Sequence, residues 1–285
     1  MTGALAAVAV GAVSGVLAGM FGIGGGIITT PAIRLVLGYP SLIAVGTPLL
    51  AILPTTVSGG WSYARNGLAD VRTGLVIGAW GIPAAVLGAL ATRLVGGTFV
   101  LVVTAALILY TAGDMLWHAF VSTRDRESRA PEEGEEPVLA SAEDLAPEKD
   151  GPSAASAASA APRASRFAAI GVTAGAYSGF LGLGGGFVLV PLLNRATGMP
   201  IKRAIGTSLV AIGVLSIPGI VTHYALGNID VALGLALMVG AVPGALLGAR
   251  ITRAASDKAV RIAFAVMLLS VGAWLAVSEL AGLLR

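Results

Sequence analysis

Gly22-Ile23-Gly24-Gly25-Gly26 recurs 160 residues later as Gly182-Leu183-Gly184-Gly185-Gly186. Each copy interrupts a run apolar enough for a membrane, and each is followed at the same distance by a proline, Pro31 and Pro191. Glycine is the poorest helix former after proline, so both clusters predict a helix break. Irregular backbone at membrane depth is tolerated only where protein or a water-filled cavity covers it. Two such breaks in matching halves point to a transporter binding site.

Working outward, residues 11–93 align onto 171–253 at that one offset, without gaps and with identity of roughly a third. Matched positions include Gly15/Gly175, Gly19/Gly179, Pro40/Pro200, Gly46/Gly206, Thr47/Thr207, Asp70/Asp230, Pro83/Pro243, Gly88/Gly248 and Arg93/Arg253. Shared apolar composition would not hold such register, so the chain is a duplication. The reading divides it into a membrane repeat over 1–120, a linker over 121–166 and a second membrane repeat over 167–285. The linker, Val121 to Arg166, is rich in Ala, Ser, Pro and Glu with no apolar period. It cannot bury enough surface to offset its ordering entropy, so disorder is expected there.

The embedded part is almost free of acid. Of fifteen Asp and Glu residues, ten fall between Asp125 and Asp150, while 56% of the chain is apolar. Several runs approach the ~20 residues that cross a bilayer. The expected class is an all-α polytopic membrane protein whose partner is the lipid bilayer, in the cell's inner or plasma membrane. No cysteine is present, and the two histidines, His118 and His223, are far apart. Thiolate chemistry is therefore excluded, no metal or other cofactor is expected, and no acid/base cluster suggests an enzyme. A net charge of +3 is too small and scattered for nucleic acid. No Lys or Arg precedes the first apolar run, so residues 1–20 are not read as a cleaved signal peptide.

Whether each glycine cluster lies within one broken helix or in a helical hairpin sets the topology. One helix gives eight spans and splits the eighteen Lys and Arg nine against nine. A hairpin gives ten segments and places fifteen on one side, with only Arg34, Arg93 and Arg285 on the other. The second division is a positive-inside bias. It predicts inverted repeats, a cytoplasmic linker and both termini outside. Runs 27–38 and 187–199 are too short to cross fully, which leaves a re-entrant form open.

Inverted repeats carry a pseudo-two-fold axis in the membrane plane, so the two turns would approach the centre from opposite sides. Each turn leads into a short helix starting near Ile27 or Phe187, and helix starts present free N–H groups and partial positive charge. Successive glycines let N–H groups converge as an anion nest. The candidate substrate-binding residues are thus Gly22, Gly24, Gly25 and Gly26 with Gly182, Gly184, Gly185 and Gly186. Hydroxyls at the next segment starts, Thr47, Thr207 and Ser208, can add donors. Thr55, Thr56, Ser58 and Ser216 lie further along, where a bond to the preceding helical turn competes. Trp61, Tyr63, His223 and Tyr224 stand at segment ends and read as interface markers. Asp70 and Asp230 read as helix N-caps rather than proton carriers. Asp114 and Glu279 are the carboxylates within apolar runs, both near an end, and neither identifies a coupling ion.

Ala174 to Leu193, AGAYSGFLGLGGGFVLVPLL, resembles the signature of the TauE/SafE sulfite-exporter family. So do Ala204-Ile205-Gly206-Thr207-Ser208-Leu209 and Gly227-Asn228-Ile229-Asp230 with Gly244 and Gly248. Gly19 to Pro31 is a weaker copy. The resemblance covers both membrane halves. It implies a multi-pass inner-membrane permease for sulfur-containing anions: sulfite, organosulfonates or thiosulfate. Pro48 replaces the usual Ser after Thr47, which weakens a symmetric hydroxyl site, and the linker is long for the family. Membership fixes neither substrate nor direction.

The leading expectation is a secondary transporter of a small anionic substrate, with room for a homodimer. The alternatives are a permease for another small solute such as a carboxylate, or a non-transporting membrane sensor or assembly component. The last would leave the duplicated turns unexplained. No Walker motif supports ATP-driven transport within the chain.

Overall fold

The computed structural model describes residues 2–95, 97–127, 154–182 and 184–283. All regular structure among them is helical. Repeat one comprises α1 (Thr2–Phe21), α2 (Gly26–Pro31, running into a π turn over Ala32–Val36), α3 (Ser41–Gly46), α4 (Pro48–Ala64), α5 (Val71–Val95) and α6 (Gly97–Glu127). Repeat two comprises α7 (Ala154–Leu181), α8 (Gly186–Thr197), α9 (Ile201–Ala225), α10 (Val231–Ala254) and α11 (Asp257–Leu283). Six segments among the described residues are long and apolar enough to cross a membrane: Gly3–Phe21, Ser41–Ala64, Val71–Thr92, Ile201–Ala225, Val231–Ala254 and Asp257–Ser278. The protein is an all-α, multi-pass membrane protein.

Local chemistry sets the element ends. Gly22, Gly24 and Gly25 take φ of +68°, +75° and +89°, and Gly182, Gly184 and Gly185 take +65°, +75° and +69°. Side-chain-bearing residues rarely adopt this left-handed backbone, so a helix stops here and another starts. Asp70 accepts from the Thr73 N–H (3.0 Å) and hydroxyl (2.9 Å), and Asp230 accepts from the Leu233 N–H (3.0 Å). Both are the N-caps expected from the sequence. Pro31 removes one N–H from the end of α2. Pro191 does the same within α8 without a π turn, so proline alone does not set that feature.

Glycine ladders assemble the helices. A side-chain carbon on Gly11, Gly15 or Gly19 of α1 would strike the carbonyls of Leu237, Ala241 or Ala245 on α10. One on Gly240, Gly244 or Gly248 of α10 would meet those of Val8, Ala12 or Val16. The matched pair repeats this: Gly171, Gly175 and Gly179 of α7 lie against Ile77, Gly81 and Ala85 of α5. Residue numbers rise together in both pairs, so α1/α10 and α5/α7 run parallel with their backbones in contact. Without a hydrophobic force between helices in lipid, such close approach is the main source of association. Each pair joins one helix from each repeat.

The central helices α4 and α9 run the other way. Gly46 lies by Asn228, Gly219 by Leu49, Gly213 by Thr56, Gly59 by Leu209 and Gly206 by Tyr63. One number falls as the other rises, so the two are antiparallel.

Two sequence expectations change. The ends of the supposedly disordered linker are helical: α6 continues through Glu127 and α7 begins at Ala154. Alanine is the best helix former, and it extends α7 backward through Ala154–Ala164; the α6 extension, Val121–Glu127, has no alanine and continues a helix already formed. Residues 128–153 lie outside the described residues. Tyr63 and His223 are wholly buried, unlike Trp61 and Tyr224, which are exposed. Gly88, matched to Gly248 in the duplication, has no room for a side chain: a side-chain carbon there would lie 2.5 Å from the Ala176 carbonyl.

Candidate functional site

The two glycine turns meet at the centre of the molecule. A side-chain carbon on Gly24 would stand 3.1 Å from both Ile52 of α4 and Ile212 of α9. One on Gly184 would stand 2.9 Å from Ile212 and 3.5 Å from Ile52. The turns also touch each other, since a carbon on Gly186 would lie 2.5 Å from the Gly22 carbonyl. Residues Gly22 to Ile27 are buried, as are Gly182 and Gly184 to Phe187. The turns are thus covered by protein, as irregular backbone in a membrane must be.

Within each turn the hydrogen bonds follow one plan. Gly22 N–H donates to Ala18 O (2.8 Å) and Gly182 N–H to Ser178 O (3.0 Å), closing the helix before the break. Gly25 O accepts from Ile28 and Thr29 N–H, and Gly185 O from Val188 and Leu189 N–H, opening the helix after it. The N–H groups of Gly24, Gly25, Gly184 and Gly185 take part in none of these bonds.

The hydroxyls serve other partners. Asp230 N–H donates to Thr47 Oγ1 (3.0 Å) and Asp70 N–H donates to Thr207 Oγ1 (2.9 Å). Each threonine therefore pins the loop after the other repeat's central helix. Ser208 is nearer the turn: its hydroxyl reaches Gly22 O (2.9 Å) and Ile205 O (2.8 Å). Its counterpart Pro48 has no hydroxyl, so this tie exists only once. Thr55, Thr56, Ser58 and Ser216 all donate to carbonyls three or four residues back. All four hydroxyls are spent on their own helices.

Sequence reasoning missed a second matched pair of ties. Tyr63 OH donates to Gly19 O (2.9 Å), and His223 Nε2 pairs with Gly179 O (3.1 Å). These bonds fasten the ends of α4 and α9 to the helices that run into the glycine turns. Thr252 Oγ1 adds a bond to Met20 O (2.8 Å). The available signal was that Tyr63 and His223 align in the duplication and both carry a polar tip.

A groove of about 260 Å³ opens between α4 and α9, lined by Leu53, Thr56, Trp61, Leu209, Gly213 and Ile217 among others. Neither the turn glycines nor Ile52 and Ile212 line it, and Val57, Trp61 and Ile217 along it are exposed, so the groove lies on the outer face of the two helices. Its one hydroxyl, on Thr56, is already bonded to Leu53 O. Of the embedded carboxylates, Asp114 pairs with Arg195 at the end of α8, and the Glu279 side chain lies outside the described residues. Asp70, at the start of α5, is partly desolvated, which opposes ionisation. The Thr73 N–H and hydroxyl, Arg203 and the Arg72 N–H outweigh this and hold its carboxyl below the ordinary value. Among the described residues no three His, Cys, Asp or Glu side chains gather as a metal site would require.

The family model "Sulfite exporter TauE/SafE" matches residues 7–275. The probable membrane transporter YunE of Bacillus subtilis is 25% identical over 280 residues, covering 93% of this chain and 94% of its own. A probable membrane transporter of Xylella fastidiosa (strain 9a5c) is 27% identical over 239 residues, covering 84% and 80%. The probable membrane transporter MJ0441 of Methanocaldococcus jannaschii is 23% identical over 275 residues, covering 91% and 90%. No solved structure matches the chain. The match spans both glycine turns and both central helices, and on it the chain belongs to the TauE/SafE family of membrane transporters.

Proposed function

We propose that the protein is a secondary transporter of small sulfur-containing anions, such as sulfite or organosulfonates, and that it binds the anion between the two glycine turns. The observation that carries this reading is the meeting of both turns at Ile52 and Ile212, with N–H groups on each side that donate to no backbone carbonyl among the described residues. Converging backbone N–H groups bind an oxyanion without a buried Lys or Arg. The sulfur chemistry of the substrate rests on the family's description.

The repeats are proposed to be inverted. Supporting this, α4 and α9 are equivalent in the duplication yet antiparallel, so the axis relating them is perpendicular to the helices. For helices that span the bilayer, such an axis lies in the membrane plane. The α4–α5 loop and the linker then share one face, and the α9–α10 loop shares the other with the two termini. The paired ties become two gates. Tyr63–Gly19 and Thr207–Asp70 close one face, and His223–Gly179 and Thr47–Asp230 close the other. Alternating access releases one set at a time.

The linker is proposed to be a tether without a transport role, and the protein to have no catalytic activity. Uptake and efflux by purified protein in liposomes, against sulfite, thiosulfate, sulfonates and carboxylates, tests the substrate class. Saturable sulfite or sulfonate flux is expected. Flux of carboxylates alone would favour the other permease, and flux of none would favour a sensor or assembly component.

A further inference from the structure

The two gates are built alike but differ at one atom group. Where repeat one fastens α4 to Gly19 with a phenol, repeat two fastens α9 to Gly179 with an imidazole. Near neutral pH a phenol does not ionise, whereas histidine is the side chain whose charge changes there. The geometry points to His223 as the proton-binding site of a one-sided gate: protonation releases the α9 end from α7, and Tyr63 gives the opposite face no such response. This rests on the two-gate reading above.

His223 is wholly buried. A carbonyl only accepts, so Nε2 carries the hydrogen that Gly179 O receives, 3.1 Å away. Nδ1 is then the acceptor, facing the Asn228 side-chain amide at 3.4 Å. Both nitrogens are matched in the neutral ring, and neither bond needs a charge. Adding a proton at Nδ1 forces the Asn228 amide to turn its oxygen inward and, even then, leaves a buried cation with no opposite charge among the described groups. Burying an uncompensated charge is strongly unfavourable.

No described carboxylate relieves it. At this end of the bundle Asp230 is occupied in capping Leu233, and Arg34 donates to Tyr39 O. α3, α4 and α7 near Gly179 offer no charged residue, and Arg195 on α8 pairs with Asp114. The side chains of Arg93, Glu279 and Arg285 lie outside the described residues. The protonated ring is therefore favoured where water reaches it, with the α9 end released.

The neighbouring bonds give release a readout. Asn228 N–H donates to His223 O (2.9 Å), and Asp230 N–H to Thr47 Oγ1 (3.0 Å). Their twins are Leu68 N–H to Tyr63 O (3.0 Å) and Asp70 N–H to Thr207 Oγ1 (2.9 Å). Amide hydrogen exchange on the full chain in lipid nanodiscs reports both loops in one experiment. After correction for intrinsic rates, protection over 226–233 should fall at least about tenfold between about pH 7.5 and about pH 5.5. Protection over 66–73 should change by less than about twofold.

His223→Tyr copies the twin residue, and His223→Gln keeps an N–H donor for Gly179 O without titrating; each should flatten the response at 226–233. Equal pH dependence at the two loops, or a response that persists in whichever variant is monodisperse, overturns the assignment. No substrate is added, so this result and that of the flux assay stand or fall separately.

Discussion

Ile52 and Ile212 hold the same place in the two repeats, and each lies against both Gly24 and Gly184. Neither isoleucine belongs to one turn; the pair forms a shared wall. Both are at most 2% exposed, so their shape is felt by both turns. Ile212→Val, removing one methylene, should destabilise by about 0.5–1.5 kcal/mol and leave transport near wild type. Ile212→Phe should overpack both turns and reduce flux at least about tenfold while the protein still folds, since overpacking typically costs about 1–3 kcal/mol. Thermal unfolding alongside liposome flux separates the two effects. Wild-type flux through a folded Phe variant would detach the isoleucine wall from the transport path.

Gly25→Val and Gly185→Val should abolish anion binding. Both positions have positive φ, and a side-chain carbon on Gly185 would lie 2.6 Å from Ala174 O. The decisive assay is calorimetric titration of sulfite into monodisperse variants. Retained affinity in both would return these glycines to a packing role.

The glycine ladders should be far less tolerant than sequence alone suggests. Gly88→Ala forces a carbon against the α7 backbone, so folded yield and melting temperature should drop clearly. Gly113→Ala should be neutral, because nothing lies within 4 Å of the added carbon. Fluorescence-detected chromatography of the two variants after heating is sufficient. Equal thermostability would contradict the backbone contact between α5 and α7.

Thr47→Val and Thr207→Val each remove the acceptor for a loop N–H and should destabilise by about 1 kcal/mol. Thr→Ser at either site should restore stability. If these hydroxyls hold loops rather than anion, sulfite affinity measured in folded protein should change little.

How much of this was legible in the sequence depends on the range of the interaction. The glycine turns, the Asp70 and Asp230 caps and the short α2 and α8 are local, set by backbone preference within a few residues. The duplication revealed them because it repeats that local chemistry. The ties are not local. Thr207 reaches Asp70 and Tyr63 reaches Gly19 only after the helices pack, and nothing in segment-end aromatics distinguishes an inward ring from an interfacial one. The helical ends of the linker are polar, and polarity does not oppose helix: the α7 end is alanine-rich, and the α6 end only lengthens a helix nucleated in the apolar run.

Asp70 supplies a pH prediction. Its carboxyl is held below the ordinary value in the folded protein, so the unfolded chain binds the proton first. Its stabilising contribution is present above the unfolded value of about 3.9 and is lost as pH falls through the lower folded value. The group is only partly buried, at a loop that water reaches, so the effect is small. Melting temperature measured from about pH 5 downward should fall more in wild type than in Asp70→Asn. Parallel curves would remove Asp70 from the acid response.

The anion is proposed to sit between the paired turns. A structure determined with selenite in place of sulfite locates it through the anomalous signal of selenium. The peak should be bounded by Ile52 and Ile212, within hydrogen-bonding distance of N–H groups of Gly24 or Gly25 and of Gly184 or Gly185. A peak elsewhere, such as the groove beside Trp61 or the ends of α4 and α9, with none at the turns, would contradict it.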